Sequence, residues 1–279
     1  MFFNKFTTPA KKEIKVGELY NNKFAELVKF VNTENYECFF KELDEFIKSL
    51  TPGFDDLDFI EKIYVYISCC YFNVQPAIHV RHKMYGKQRI SLVTIIDNIE
   101  KNYSKTKHIY KINDDFSVSY TLPRNFSVKD NKFDIQYLSA IDSIITEGGK
   151  EIVLTNEQRN RFINEIAPII LVDLEKDIIN NTYKVVDLFK GVDRNSYKIP
   201  IVSESMLTLV TTLYSESFDS YYQKIYALGR HLRFSYADYM LMTPREVDNL
   251  FEAYKQEQEE IKKEMEESKN KSNKKKGPR

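Results

Sequence analysis

Residues 203–254 read SESMLTLVTTLYSESFDSYYQKIYALGRHLRFSYADYMLMTPREVDNLFEAY. Met206, Leu207, Val210, Leu213 and Tyr214 recur at helical spacing on one face. Phe218, Tyr221, Tyr222, Ile225, Leu228 and Leu232 do the same on a second. A helical hairpin is the expectation. Gly229 lies on that second face, where a missing side chain would let another backbone come close. Ser235-Tyr236-Ala237-Asp238 leads a short turn ending near Met242. Thr243-Pro244-Arg245-Glu246 then joins an N-cap threonine, a proline at the first helical position and a glutamate at the third. The final helix that they open has Val247, Leu250, Phe251 and Tyr254 as its stripe.

Past Tyr254 the stripe thins while the helical signal persists. Residues 252–267 hold seven Glu and three Lys, with Glu259 and Lys263 ordered for an i,i+4 pair. Ile261 and Met265 alone remain apolar, one turn apart, as a solvated extension or a narrow seam for another helix. Residues 255–267 are therefore read as a projecting helix. Residues 268–279, with six basic side chains and no acid, are read as a disordered basic tail.

Upstream, residues 1–18 read as an extended arm, since Thr7-Thr8-Pro9 disfavours helix and Lys11, Lys12 and Lys15 keep it wet. Residues 19–75 read as N-terminal helices. Their faces carry Leu19, Phe24, Leu27, Val28 and Val31, then Phe39, Phe40, Leu43, Phe46, Ile47 and Leu50, then Phe59, Ile60, Ile63, Tyr64 and Ile67. Asp55, Asp56 and Asp58 at the third start suit helix capping better than a metal, because acids there complement free N–H groups and the helix dipole. Residues 76–135 read as a β-rich insert: Ala77–His82 alternates, Ile90–Val93 can return, and Asn113-Asp114-Asp115 separates two further runs. Residues 136–254 read as a helical module, with helix resuming at Tyr137, a stop at Gly148-Gly149, and a kink or a break at Pro168 within Glu157–Tyr183. The predicted fold class is α+β, predominantly helical: a helical bundle with a small antiparallel β-rich insert and a long projecting C-terminal helix.

Composition narrows the function. Forty-one basic residues balance forty-one acidic ones, which argues against a general nucleic-acid binder needing surplus cations. Only eight Gly and eight Pro favour helices over a turn-rich sandwich. No apolar run approaches the ~20 residues that cross a bilayer, and no secretory signal is visible, so an intracellular setting without membrane contact is expected. The odd cysteine count, Cys38, Cys69 and Cys70, fits reduced thiols.

Catalytic signatures are hard to find. Cys69, Cys70, His79 and His82 invite a zinc reading, but adjacent residues on a helix diverge by about 100° and odd separations on a strand face opposite ways. Glu147-Gly148-Gly149-Lys150 lacks the earlier glycine and the following Ser or Thr of a phosphate loop. An enzyme assembled from distant residues would have Asp55, Asp58, His79 and His82 as its candidates. Tyr221, Tyr222 and Tyr226 have the spacing of core packing more than of base stacking. No cofactor, metal or small-molecule ligand is expected.

The segment Ala227–Glu246, ALGRHLRFSYADYMLMTPRE, resembles the C-terminal part of the T-even-like myophage baseplate hub assembly proteins. In that family a helix ending in an aromatic and Ser precedes Asp, a Met-Thr/Ser-Pro turn and a Glu-rich last helix. The resemblance implies a non-enzymatic phage tail protein, an assembly factor or a hub subunit, that helps build the central baseplate hub through helical protein–protein surfaces. It implies hub or tail structural proteins as partners, in the cytoplasm of the infected host or in the virion tail baseplate. Tyr254, Ile261, Met265, His231 and Arg233 are the expected partner-binding residues. The alternative is a nucleic-acid- or polymerase-binding regulator, suggested by the basic tail and the many tyrosines.

Overall fold

Strand pairing begins where an extended arm was expected. The computed structural model describes residues 3–82, 86–188 and 198–274. Within it β1 (Phe3–Thr7) and β2 (Glu13–Gly17) form an antiparallel hairpin, with Lys5 opposite Lys15. Of the lysines that signalled a wet arm, Lys11 and Lys12 lie in the connecting turn and only Lys15 lies on one side of the ribbon. Ile14 and Val16, on the other, are buried. The turn closes through Thr8 and a left-handed Lys11 (φ 66°). Thr51 Oγ1 both donates to the Lys15 carbonyl (2.9 Å) and accepts its N–H (3.0 Å), so the β2 edge is not left open.

The chain divides into two compact units: residues 1–18 with 26–215, and residues 19–25 with 216–279. The division passes through α1 (Asn21–Asn32). In the larger unit, α2 (Tyr36–Lys48) is capped by Asn35 and buries Phe39, Phe40, Leu43 and Ile47. A 3-10 turn (Pro52–Asp56) leads to α3 (Phe59–Asn73), whose side chains from Phe59 to Cys70 are all buried. Asp58 caps α3: its carboxylate accepts the Glu61 N–H (3.0 Å), and Glu61 accepts the Asp58 N–H (3.3 Å). Phe40 lies within 6 Å of Phe39, Tyr66, Phe126 and Phe133, and Tyr214 donates its hydroxyl to the Tyr66 carbonyl (2.8 Å).

Sheets follow. β3 (Ala77–His82) pairs with β4 (Gly86–Ser91), and α4 (Leu92–Asn102) starts directly after. β5 (His108–Lys111), β6 (Phe116–Tyr120), β9 (Ile141–Thr146) and β10 (Glu151–Val153) form a four-stranded antiparallel sheet in the order β10-β9-β6-β5. Between them β7 (Asn125–Lys129) and β8 (Lys132–Gln136) make a hairpin whose turn, Asp130-Asn131, has φ of 48° and 60°. Two positive φ values in a two-residue loop match the twist of paired strands. The helix expected from Tyr137 is one 3-10 turn (Tyr137–Ala140), and Gly148-Gly149 belongs to the β9–β10 turn, with Gly149 at φ 71°. The β-branched run in Ile141–Thr146 takes the extended conformation because β6 stands ready to pair with it.

Pro168 breaks the expected long helix into α5 (Asn156–Glu165) and α6 (Pro168–Thr182), with the proline in the first turn of α6. Leu174 and Ile178 of α6 pack with Val118, Tyr120, Ala140, Ile141 and Leu154 as a second core cluster. β11 (Val185–Asp187) pairs with β12 (Lys198–Pro200), which puts Pro200 in a two-stranded ribbon. α7 (Glu204–Leu213) completes this unit, burying Met206, Leu207, Val210 and Leu213.

The smaller unit holds α8 (Phe218–Leu232), α9 (Tyr236–Met240) and α10 (Pro244–Lys274). The expectation of a helical bundle carrying one β insert is therefore corrected. Ten α-helices are interleaved with twelve strands in five small antiparallel sheets among the described residues, a mixed α+β chain. Strands run from Phe3 to Pro200, well outside residues 76–135. α7 lies in the larger unit and α8 in the smaller. Residues 268–274 continue α10, and the rest of the expected tail lies outside the described residues.

Candidate functional site

The last three helices are built around local caps. Ser217 accepts the Ser220 N–H (3.2 Å) at the start of α8. Ser235 and Asp238 form a capping box on α9. Thr243 and Glu246 form the one read from the sequence: the Thr243 N–H donates to Glu246 (2.7 Å) and the Glu246 N–H donates to Thr243 Oγ1 (3.3 Å). Tyr221, Leu228, Tyr239 and Val247 are the buried centre, with Ala25, Ile225, Leu232, Phe234, Met240, Met242 and Leu250 packed around it. Asn21, also buried, donates its side-chain amide to the Tyr239 carbonyl (3.0 Å) and its backbone N–H to Met242 (2.8 Å). Lys224 ties α8 to Glu216 and, at 2.5 Å, to Asp248 of α10. Burial alone would lower its pKa, but the two carboxylates outweigh that and hold it above the ordinary value.

On the surface of this unit His231 stacks on Tyr254, ring centroids 4.8 Å apart and 26° from parallel. The Arg230 guanidinium lies over Tyr226 (5.6 Å), and the Lys255 ammonium over Phe251 (4.4 Å). Tyr222, Tyr226, Tyr236 and Leu241 are exposed. Of the residues expected to bind a partner, His231 and Tyr254 are thus brought together. Arg233 is instead the left-handed residue that ends α8 (φ 58°). Ile261 and Met265 lie further along α10, 36% and 59% exposed, on a stretch where every side chain from Lys255 to Ser268 is exposed.

Gly229 is not needed for a close approach. A Cβ there would meet only the Phe234 carbonyl oxygen, at 3.6 Å, an ordinary contact. Gly229→Ala should accordingly raise stability by about 0.5–1 kcal/mol, because alanine loses less conformational entropy in a helix. Chemical denaturation measures this, and a loss of stability would show the site to be crowded.

The chemistry-bearing candidates are placed differently. Cys69 and Cys70 are buried on α3, where burial pushes the Cys69 thiol to about 11 and Cys70 well above its usual range. Thiolates, the form that binds metals, are disfavoured there. His79 is exposed on β3; the His82 side chain lies outside the described residues. No three His, Cys, Asp or Glu side chains converge on a possible ion among the described residues. Asp55 is exposed and ion-paired with Lys48 (2.7 Å). Asp58 is closed in by Tyr103, which donates to it at 2.8 Å, and its partner Glu61 accepts from Thr8 (2.8 Å) and Lys12 (3.3 Å).

Two features escaped the sequence reading. A cleft of about 360 Å³ is lined by Asp44, Lys62, Lys41 and Phe126, among others. In it burial raises Asp44 and lowers Lys62, while Asp44 accepts the Tyr66 hydroxyl (2.6 Å) and Lys62 donates to the Arg124 carbonyl (3.0 Å). Both groups are thereby committed to holding α2, α3 and the Arg124 segment together. Separately, Ile169, Val172, Ile179 and Tyr183 are exposed along α6. Their spacing of three, seven and four residues was visible in the sequence, but residues 174 and 178 offered a rival face, and only the sheet decided between them.

No family model, curated protein or solved structure matches the chain. No described helix is long and apolar enough to cross a membrane.

Proposed function

We propose that this chain is a non-enzymatic phage tail protein that helps assemble the central baseplate hub through helical surfaces. The observation that carries this reading is the form of α10. Its first three turns close a core with α8 and α9, and the same helix then runs on, exposed, with Ile261 and Met265 on its surface. A Glu-rich helix with apolar side chains that its own chain does not cover suits a surface protein better than a site of chemistry. The helix–Ser-Asp–Met-Thr-Pro–helix order that resembles hub assembly proteins supplies the class of partner, and the capping boxes at Ser235 and Thr243 give it a physical basis. Its place of action is the infected host cytoplasm or the tail baseplate.

Truncation after Tyr254 tests the reading. The buried centre of the unit ends before that point, so the shortened chain should keep its unfolding transition within about 1 kcal/mol, as exposed positions generally do. Affinity purification from infected cells should recover hub or tail proteins with the full chain and far less with the shortened one. Recovery of no tail protein by the full chain defeats the proposal. Loss of folding on truncation would move the boundary instead.

A further inference from the structure

The exposed half of α10 carries its charges in a regular order. Val247, Phe251, Tyr254, Gln258, Ile261 and Met265 follow one another in steps of four and three along a single helix. That is the a/d spacing of a coiled coil, with Phe251, Gln258 and Met265 at a, and Val247, Tyr254 and Ile261 at d. The first part of this seam is covered from within, since Val247 is buried and Tyr254 stacks on His231. From Gln258 onward the same seam faces solvent.

The flanking positions are sorted by sign. Position g holds Glu257 and Glu264, and position e holds Lys255 and Lys262. The spacing of Glu257 and Lys262 returns in the sequence at Glu264 and Lys269. In a parallel two-stranded coiled coil each g side chain meets the e side chain five residues on in the other helix, so from Gln258 onward Glu257 is set against Lys262 and Glu264 against Lys269. An antiparallel pair would set g against g and e against e, placing Glu on Glu and Lys on Lys, which is repulsive. A partner of unrelated sequence would need the same sorted charges by chance; a second copy carries them necessarily.

We propose that the exposed half of α10 pairs in parallel with the same helix of a second copy of this chain, joined at Ile261 and Met265 and aligned by Glu257 and Lys262. Gln258 at a is a polar seam residue of the kind that sets register at a cost in affinity. The free seam is only about two heptads long, so association is concentration-dependent rather than permanent. This inference concerns self-association and stands whether or not the other partner is a tail protein.

The test uses the full chain. Sedimentation equilibrium should show a monomer–dimer equilibrium at low ionic strength, weakened by salt. Glu257→Lys alone and Lys262→Glu alone should each weaken it by about ten-fold or more, since each turns two attractive contacts into repulsive ones. The double exchange should restore it, and an equimolar mixture of the two single variants should form a mixed dimer. Direction is read separately: in a Cys38→Ser background, Gln258→Cys should oxidise to a covalent dimer, and Lys263→Cys, which faces outward, should not. A monomer at every concentration, identical behaviour of the single and double exchanges, or equal cross-linking at both positions would overturn the proposal.

Discussion

Phe40→Ala should lower the unfolding free energy by about 3–5 kcal/mol. Phe40 is 4% exposed and touches four other rings, at 4.9 Å (Phe39 and Phe126), 5.5 Å (Tyr66) and 5.9 Å (Phe133). Those rings come from α2, α3 and the β7–β8 hairpin, elements distant in sequence. Removing the ring leaves a cavity that none can refill, because each is held elsewhere: Tyr66, for example, donates its hydroxyl to Asp44. Phe40→Leu, which keeps much of the volume, should cost clearly less. Urea denaturation of both variants decides it. A loss below about 1 kcal/mol for the alanine variant would mean that α2 and the hairpin are not held by this cluster.

The second prediction concerns acid. Burial, reinforced by the Glu61 charge, pushes the Asp58 carboxyl from 3.8 up to about 6, and the hydrogen bond from the Glu61 amide opposes this only in part. Folding therefore tightens the hold on this proton. The contribution is fully present below about pH 4 and is lost as pH rises through about 6. Between pH 7 and pH 5 this group should add about 1 kcal/mol of stability. Asp58→Asn keeps a good helix cap and removes the buried charge. The variant should gain on the order of 1–3 kcal/mol at pH 7.5 and lose this share of the acid stabilisation. Denaturation at pH 5 and 7.5 measures both. Parallel pH profiles for the two chains would show that Asp58 titrates as it does in the unfolded state.

The two predictions rest on different kinds of information. Asp58 as a cap was legible, because the groups it serves lie within one turn of chain and its partner Glu61 is three residues away. The same holds for Thr243 with Glu246, while Pro168 was legible as a kink or a break and the structure makes it the first turn of α6. Phe40 was legible as a buried face of α2 but not as the junction of four rings. Asp44 and Lys62, which line a cleft beside it, were not singled out, since nothing local distinguishes a committed carboxylate from a wet one.

By itself the sequence determined the capped helix starts at Asp58 and Thr243, the turn at Asn113 and the buried stripes of α2 and α3. These depend on hydrogen bonds and side-chain spacing over three to seven residues, which are set before the chain meets itself. Only the tertiary structure decided that residues 3–17 pair as a hairpin and that Ile141–Thr146 is a strand. It alone also decided that α7 joins the larger unit and which of two faces α6 buries. A strand leaves its hydrogen bonds to be completed by a partner, and an amphipathic helix can bury either of two apolar faces. Both choices are settled by whatever surface lies opposite, and that surface comes from residues far away in the chain.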